Sequence, residues 1–337
     1  MYESVRLRNL DSARGIAAFL VLIYHIKIVT STDGFMVDAI WNYPIFRIFF
    51  ELGEISVFFF MLLSGYVLAQ VACYSKASKL RLIGWRVFRL SSIYYLSLLI
   101  AFLVVRIVQE YSYEIRLSDI THTYLLDNAE VFSGVNAPLW SLSLEIIFSL
   151  LVFGLPKSFI FTKQLRHFTV IVLCLLLCYF PEQWGLIALL RCFAFFLLGV
   201  MIFNQRERLR ILNLYGWVLI PLFVAHLTLL DFDRRWGYFF LPLTLPLLLV
   251  FLLRTKSKFL NGAFATRVGS LSFSLYVTHW PVILILLTIE RLKLSNANAR
   301  VVVFVLFCFL SAMIFHKLID LPIQKMAKSI LKANDRA

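Results

Sequence analysis

The sequence predicts an all-α polytopic membrane protein: a bundle of about ten transmembrane helices, each about 20 residues long, with both termini cytoplasmic. Three observations lead there. Hydrophobic residues fill 61% of the 337 positions and charged residues only 15%, against roughly 45–50% and about 25% in soluble domains. The apolar residues are gathered into long unbroken runs rather than scattered. Lysine and arginine are rich in every second connection between those runs. One soluble core cannot hide this excess, because such cores stop growing at about 250–300 residues. A membrane barrel would show ten-residue alternation instead.

The spans are expected near residues 13–31, 48–72, 86–107, 138–155, 167–181, 185–203, 212–230, 236–253, 269–289 and 300–319. The first has no small-residue cleavage site after it and reads as a retained span rather than a signal peptide. The second is long and holds Gly53, so a bend or a short interfacial helix is expected there. The longest outer connection, 108–137, is polar and acidic. The other connections are short, so the chain reads as a single membrane-embedded domain over 1–337, with its core at about 6–323 and no separate soluble domain. No internal repeat of the kind that marks many transporters is evident.

Charge tests the count of spans. With the N-terminus inside, the inner segments hold nineteen Lys and Arg residues, such as Lys76, Lys79, Arg81, Arg206, Arg208 and Arg210. The outer loops hold five: Arg116, Arg234, Arg235, Arg291 and Lys293. Cytoplasmic loops collect positive charge. The net charge of +14 is therefore a membrane signature and does not call for nucleic acid. The five cysteines (Cys73, Cys174, Cys178, Cys192, Cys308) lie in or beside apolar runs. They read as packing residues rather than as a disulfide framework. Cys174 and Cys178 sit one turn apart with no His or carboxylate beside them, which is a poor metal site.

Ionisable side chains at lipid depth are costly and mark candidate sites. Arg14 and His25 are 11 residues apart, which puts them on one helix face and about 16 Å apart along the axis. Arg14 at the inner edge reads either as a snorkelling anchor or as a phosphate ligand. His25 lies roughly 20 Å from that edge, as a general base or as a hydrogen-bonded core residue. Glu145 falls roughly 10 Å below the outer edge and His279 roughly 15 Å up from the inner one, so all three share one slab of a core about 30 Å thick. A carboxylate beside an imidazole sets its tautomer and stabilises the imidazolium. The same three groups also read as polar glue between helices. A His2Glu metal site would need a convergence that spacing does not show, so no metal is expected. Arg86 and Arg89, at i and i+3, read as positive-inside charge or, with Lys79, Arg81 and Arg14, as an inner anion pocket.

Several segments then resemble a known set. Leu10-Asp11-Ser12-Ala13-Arg14-Gly15-Ile16-Ala17-Ala18, followed by His25, is similar to the opening signature of the acyltransferase 3 family of membrane acyltransferases. In the expected order come Ser64-Gly65-Tyr66-Val67, then Arg86-x-x-Arg89 with Tyr94-Tyr95, then Asn136-Ala137-Pro138-Leu139-Trp140-Ser141-Leu142-Ser143-Leu144-Glu145. Arg191 with the Phe-rich run to Gly199 follows, and last Gly269 through Leu275-Tyr276-Val277-Thr278-His279-Trp280-Pro281. Some positions depart from the pattern: Ser56-Val57-Phe58 stands where the family has Gly-Val-(Asp/Glu), and Asp320-Leu321-Pro322 where it has Glu-x-Pro.

The resemblance implies an integral membrane enzyme of the bacterial inner membrane. Such enzymes move an acyl group, usually acetyl from cytoplasmic acetyl-CoA, onto a hydroxyl of a cell-surface carbohydrate or its lipid-linked precursor. It implies His25 as the essential catalytic residue and Arg14, Arg86 and Arg89 as residues needed for the acyl-CoA donor. Glu145 and His279 are expected to join His25 in catalysis: Glu145 would orient its ring or help hold the sugar, and His279 would meet the acceptor or stabilise charge. Ser64, Trp140, Ser143 and Tyr276 are expected to bind substrate. The expected partners are acetyl-CoA, a carbohydrate acceptor and the lipid bilayer. A transporter or flippase of lipid-linked sugars is the alternative that the spans, the buried polar groups and the basic inner face also fit.

Overall fold

The computed structural model describes residues 8–32, 44–108, 136–156, 164–179, 186–209, 222, 225–226, 234–255, 257–290 and 297–332. Among these the protein is helical and carries no strand. The helices are α1 (Arg8–Thr32), α2 (Pro44–Tyr74), α3 (Lys79–Val108), α4 (Leu139–Gly154), α5 (Gln164–Tyr179) and α6 (Leu186–Asn204), with one further turn at Arg206–Leu209. There follow α7 (Arg234–Arg254), α8 (Ala263–Glu290), α9 (Ala297–Phe315), a π turn (His316–Asp320) and α10 (Leu321–Lys332). Among the described residues six stretches are long and apolar enough to cross a membrane: Leu52–Tyr74, Lys79–Arg106, Ile187–Asn204, Arg235–Arg254, Ala263–Leu286 and Val301–Leu331. Helices α4 and the Phe168–Tyr179 part of α5 are shorter apolar ones. This is an integral membrane protein, because a chain in lipid must satisfy its backbone within helices. The expected span at 212–230 and the loop at 108–137 lie almost wholly outside the described residues.

The chain divides into two compact units. The first is Met1–Gly15, Ile55–Ile83 and Ile147–Ser270; the second is Ile16–Glu54, Gly84–Ile146 and Leu271–Ala337. In the first unit, α2 and α6 touch backbone to backbone. A Cβ added at Gly65 would overlap the carbonyl oxygen of Phe196, and one at Gly199 would overlap that of Leu62. The paired numbers run in opposite directions, so the two helices are antiparallel. Close approach of this kind drives helix association where lipid removes the hydrophobic incentive. Phe58 packs on Phe195 and, edge to face, on Tyr238. Arg191, which is fully buried, donates from Nε to Leu177 O (2.8 Å) and lies over the Tyr238 ring (5.4 Å). A carbonyl and a π face are what a desolvated guanidinium needs. Helices α1 and α8 also meet at glycines here: a Cβ on Gly15 would come within 2.7 Å of Gly269 N. Counting on ten residues from each glycine reaches His25 on α1 and His279 on α8.

In the second unit, the last span does not end near 319 as expected. The helix runs on through the π turn to Lys332. Pro322 explains the turn. Proline has no N–H and disrupts an i→i−4 ladder. Just before it, the Leu321 N–H bonds His316 O, five residues back, so the register has already shifted. The same turn aims Asp320 inward, with no exposure at all. His316 Nδ1 donates to Asp320 Oδ2 (2.7 Å), Ser274 Oγ to the same oxygen (3.4 Å), and Gln324 Nε2 to Oδ1 (2.9 Å). Ser274 belongs to α8, so one carboxylate ties three helical segments together. Replacing Asp320 with Asn removes the charge that strengthens these bonds. It is expected to lower stability by about 1.5–3 kcal/mol, read as a lower thermal midpoint of the detergent-purified protein.

A candidate active site around two histidines

The site assembles in the second unit. On α1, His25 Nδ1 lies 3.0 Å from Val21 O, one turn back, and 3.2 Å from His279 Nε2. On α8, His279 Nδ1 lies 3.0 Å from Leu275 O. A carbonyl oxygen only accepts, so each Nδ1 carries a proton and donates to its own helix. The Nε2 of neutral His279 is then an acceptor, and His25 Nδ1–H is shared between it and Val21 O. The consequence falls on the last nitrogen: His25 Nε2 bears the lone pair and, among the described residues, has no hydrogen-bond partner. An imidazole held in this tautomer is a base ready to take a proton.

Aromatic rings enclose it. The Tyr24 ring stands edge-on at 5.4 Å and the Trp280 ring at 5.4 Å and 82°, while His279 itself is 5.0 Å away. Pro281 follows directly in α8 and leaves the Val277 carbonyl without its helical donor. Asn136 Nδ2 supplies one at 3.2 Å. The neighbouring Tyr276 OH donates to Pro138 O (2.8 Å) and meets Ser141 Oγ (2.6 Å). The entrance to α4 is thus pinned to the kinked part of α8. Among the described residues, three buried polar atoms around this junction carry no hydrogen bond: Asn136 Oδ1, Ser143 Oγ and Trp280 Nε1. Buried polar groups are nearly always satisfied in native proteins, so each has capacity for a ligand.

Glu145 does not reach His25. Its carboxylate is ion-paired with the Arg86 guanidinium, and both side chains are largely withdrawn from solvent. Of the two roles expected for Glu145, orienting the imidazole and helping to hold the sugar, the first has no hydrogen bond to His25 behind it among the described residues, where Val21 and His279 meet the ring. Glu145 instead neutralises an arginine at lipid depth, where an unpaired charge is the costlier alternative. Arg89, one turn further along α3, is half-buried.

The other expected site residues are distributed over both units. Arg14, half-buried on α1, and Ser64, buried on α2, belong to the first unit. Trp140 is half-buried at the start of α4. Lys79 Nζ, considered for the anion pocket, bonds Gly154 O (3.2 Å) and Leu155 O (3.1 Å), where a cation caps the end of α4. Among the described residues no three His, Cys, Asp or Glu side chains are grouped to hold a metal ion. Trp280 and Asn136 were missed as site residues, although both stand inside the quoted motifs. The proline at 281 was the available signal for Asn136, since it orphans a carbonyl one turn back.

A sequence profile described as an acyltransferase domain, that of acyltransferase 3, matches residues 7–316. The chain belongs to the acyltransferase 3 family. No curated protein and no solved structure matches it. In this membrane acyltransferase the matched stretch takes in both histidines, the Arg86–Glu145 pair and the junction of α4 with α8.

Proposed function

We propose that this acyltransferase moves an acetyl group from acetyl-CoA to a hydroxyl of a cell-surface carbohydrate, or of its lipid-linked precursor, in the inner membrane of a bacterium. The observation that carries the reading is the open Nε2 of His25, a base left free by a second histidine whose own proton is committed to its helix. The acceptor hydroxyl gives its proton to this nitrogen as its oxygen attacks the thioester carbonyl. The tetrahedral intermediate collapses and expels the CoA thiolate, which takes the proton back from His25. The base is then restored and the ester leaves. Ser143, Trp140 and Tyr276 are proposed to hold the sugar. The unpaired Ser143 hydroxyl supports this, since a polyol brings both donors and acceptors.

The CoA phosphates are proposed to meet Arg86 and Arg89 on α3, with Arg14 as a further donor-binding residue. A guanidinium presents a planar fork of N–H donors that matches a phosphate, and Arg86 and Arg89 stand one turn apart on α3. Arg89→Ala is therefore expected to raise the apparent KM for acetyl-CoA roughly tenfold, the equivalent of about 1.4 kcal/mol, with a smaller change for the glycan acceptor. An equal change for both substrates would remove Arg89 from the donor site.

The reading is tested with membranes carrying the protein and labelled acetyl-CoA. The expected result is release of free CoA thiol in step with alkali-labile label on glycan. A carrier of lipid-linked sugars consumes no acyl-CoA. Thiol release equal to that of membranes without the protein would therefore sink the proposal.

A further inference from the structure

We propose that the indole N–H of Trp280 is the hydrogen-bond donor to the oxyanion formed on the acyl carbonyl; this rests on the acyl-transfer reading above. Acyl transfer develops a negative charge on the thioester oxygen, and a fixed donor aimed at that charge is commonly the largest catalytic term in such sites. No backbone N–H at the middle of a helix is available for the task, because each is used in the helical ladder. Within α8 a side chain is the remaining kind of donor.

Trp280 fits the requirement on four counts. The residue is only 7% exposed. Its Nε1–H makes no hydrogen bond, and indole nitrogen donates only. A buried unpaired donor is an uncommon and unfavourable arrangement that a ligand acceptor resolves. Its ring stands edge to face against His25, with centroids 5.4 Å apart. That last distance matches the chemistry. The attacking oxygen sits about 2.6–3.2 Å from the base nitrogen, and an oxyanion donor sits about 2.7–3.1 Å from the oxygen it serves. Base and donor must therefore be near neighbours without bonding each other, as these two rings are. His25 and His279 cannot take this role, since both Nδ1 protons already have partners. Charge and atoms balance in the step. The hydroxyl proton passes to His25 Nε2, the carbonyl π pair moves onto oxygen and is met by Trp280 Nε1–H. On collapse the pair reforms the carbonyl and the C–S bond breaks.

The decisive experiment replaces Trp280 with β-(3-benzothienyl)alanine, which keeps the bicyclic shape and puts sulfur where the N–H was. Trp280→Phe accompanies it, with wild type and His25→Ala as controls. Thiol release from acetyl-CoA is followed in membranes at known protein content. The expected result for the benzothienyl variant is a kcat lower by about 10²–10³, the loss measured on removing one oxyanion donor elsewhere. Its apparent KM for acetyl-CoA stays within threefold and its thermal midpoint matches wild type. A kcat within tenfold of wild type overturns the assignment, whatever Trp280→Phe does. A raised KM at unchanged kcat also overturns it, because the indole then serves ground-state binding. If wild type releases no thiol, or His25→Ala releases as much as wild type, the acyl-transfer reading fails and takes this proposal with it. If those controls behave and only the benzothienyl result is flat, the Trp280 role alone falls.

Discussion

Substituting His25 with alanine is expected to lower acyl transfer by at least about 10²–10⁴, the range that a positioned general base contributes. The ring is held on two sides, by its own helix at Val21 and by His279 across to α8, so the proton-accepting nitrogen is fixed in position. Glutamine is the sharper test. It keeps polar atoms in the cavity yet cannot accept a proton at this position, so His25→Gln is expected to fall with His25→Ala. His279→Gln should behave differently. It replaces the imidazole acceptor that shares the His25 proton with a more flexible amide, loosening the ring without deleting the base, and a partial loss of kcat is the expected outcome. Labelled acetyl-CoA in membranes, normalised to protein content, reads all three. Wild-type turnover in His25→Gln would remove the central chemistry.

Enlarging Gly65 or Gly199 is expected to lose the folded protein. Each Cβ would fall onto a backbone carbonyl of the partner helix, Phe196 for the first and Leu62 for the second. Backbone cannot step aside as a flexible side chain can. The helices must separate, and the whole α2–α6 contact opens. Ordinary overpacking costs about 1–3 kcal/mol, and Gly65→Val and Gly199→Val are expected at or above that upper figure. The consequence extends to Phe58, Phe195 and Tyr238, whose ring contacts depend on the same spacing. Size-exclusion profiles of the detergent-solubilised variants, with their thermal midpoints, check this. Monodisperse Gly199→Val with a wild-type midpoint would show that the helices can repack, against the expectation.

Much was legible along the chain. Apolar runs and the alternation of Lys and Arg led to a helical membrane protein, because lipid admits few backbone solutions and each leaves a strong compositional mark. The segments around Arg14, His25, Glu145 and His279 stood out for a related reason: a polar group at lipid depth needs a partner or a task. Depth arithmetic placed Glu145, His25 and His279 at one height, but it has no azimuth. It could not tell which faces meet, and so the ion pair of Glu145 with Arg86 was not foreseen. The end of the last span was misjudged too. The apolar run closes near 319, and the π turn ahead of Pro322 lets α9 continue into α10.

By itself the sequence determined the environment, the helical class and the family, since these depend on composition, period and ordered motifs within single segments. Tertiary structure alone decided the pairing of side chains: His25 with His279, Arg86 with Glu145, Asn136 with the carbonyl that Pro281 sets free. It also decided which nitrogen of His25 is left open, because a tautomer is chosen by neighbours that lie up to 254 positions away along the chain. The physical reason is the range of the forces involved. Hydrophobic transfer acts on each segment separately and adds up along it, whereas a hydrogen bond acts over about 3 Å and exists only once the helices have met.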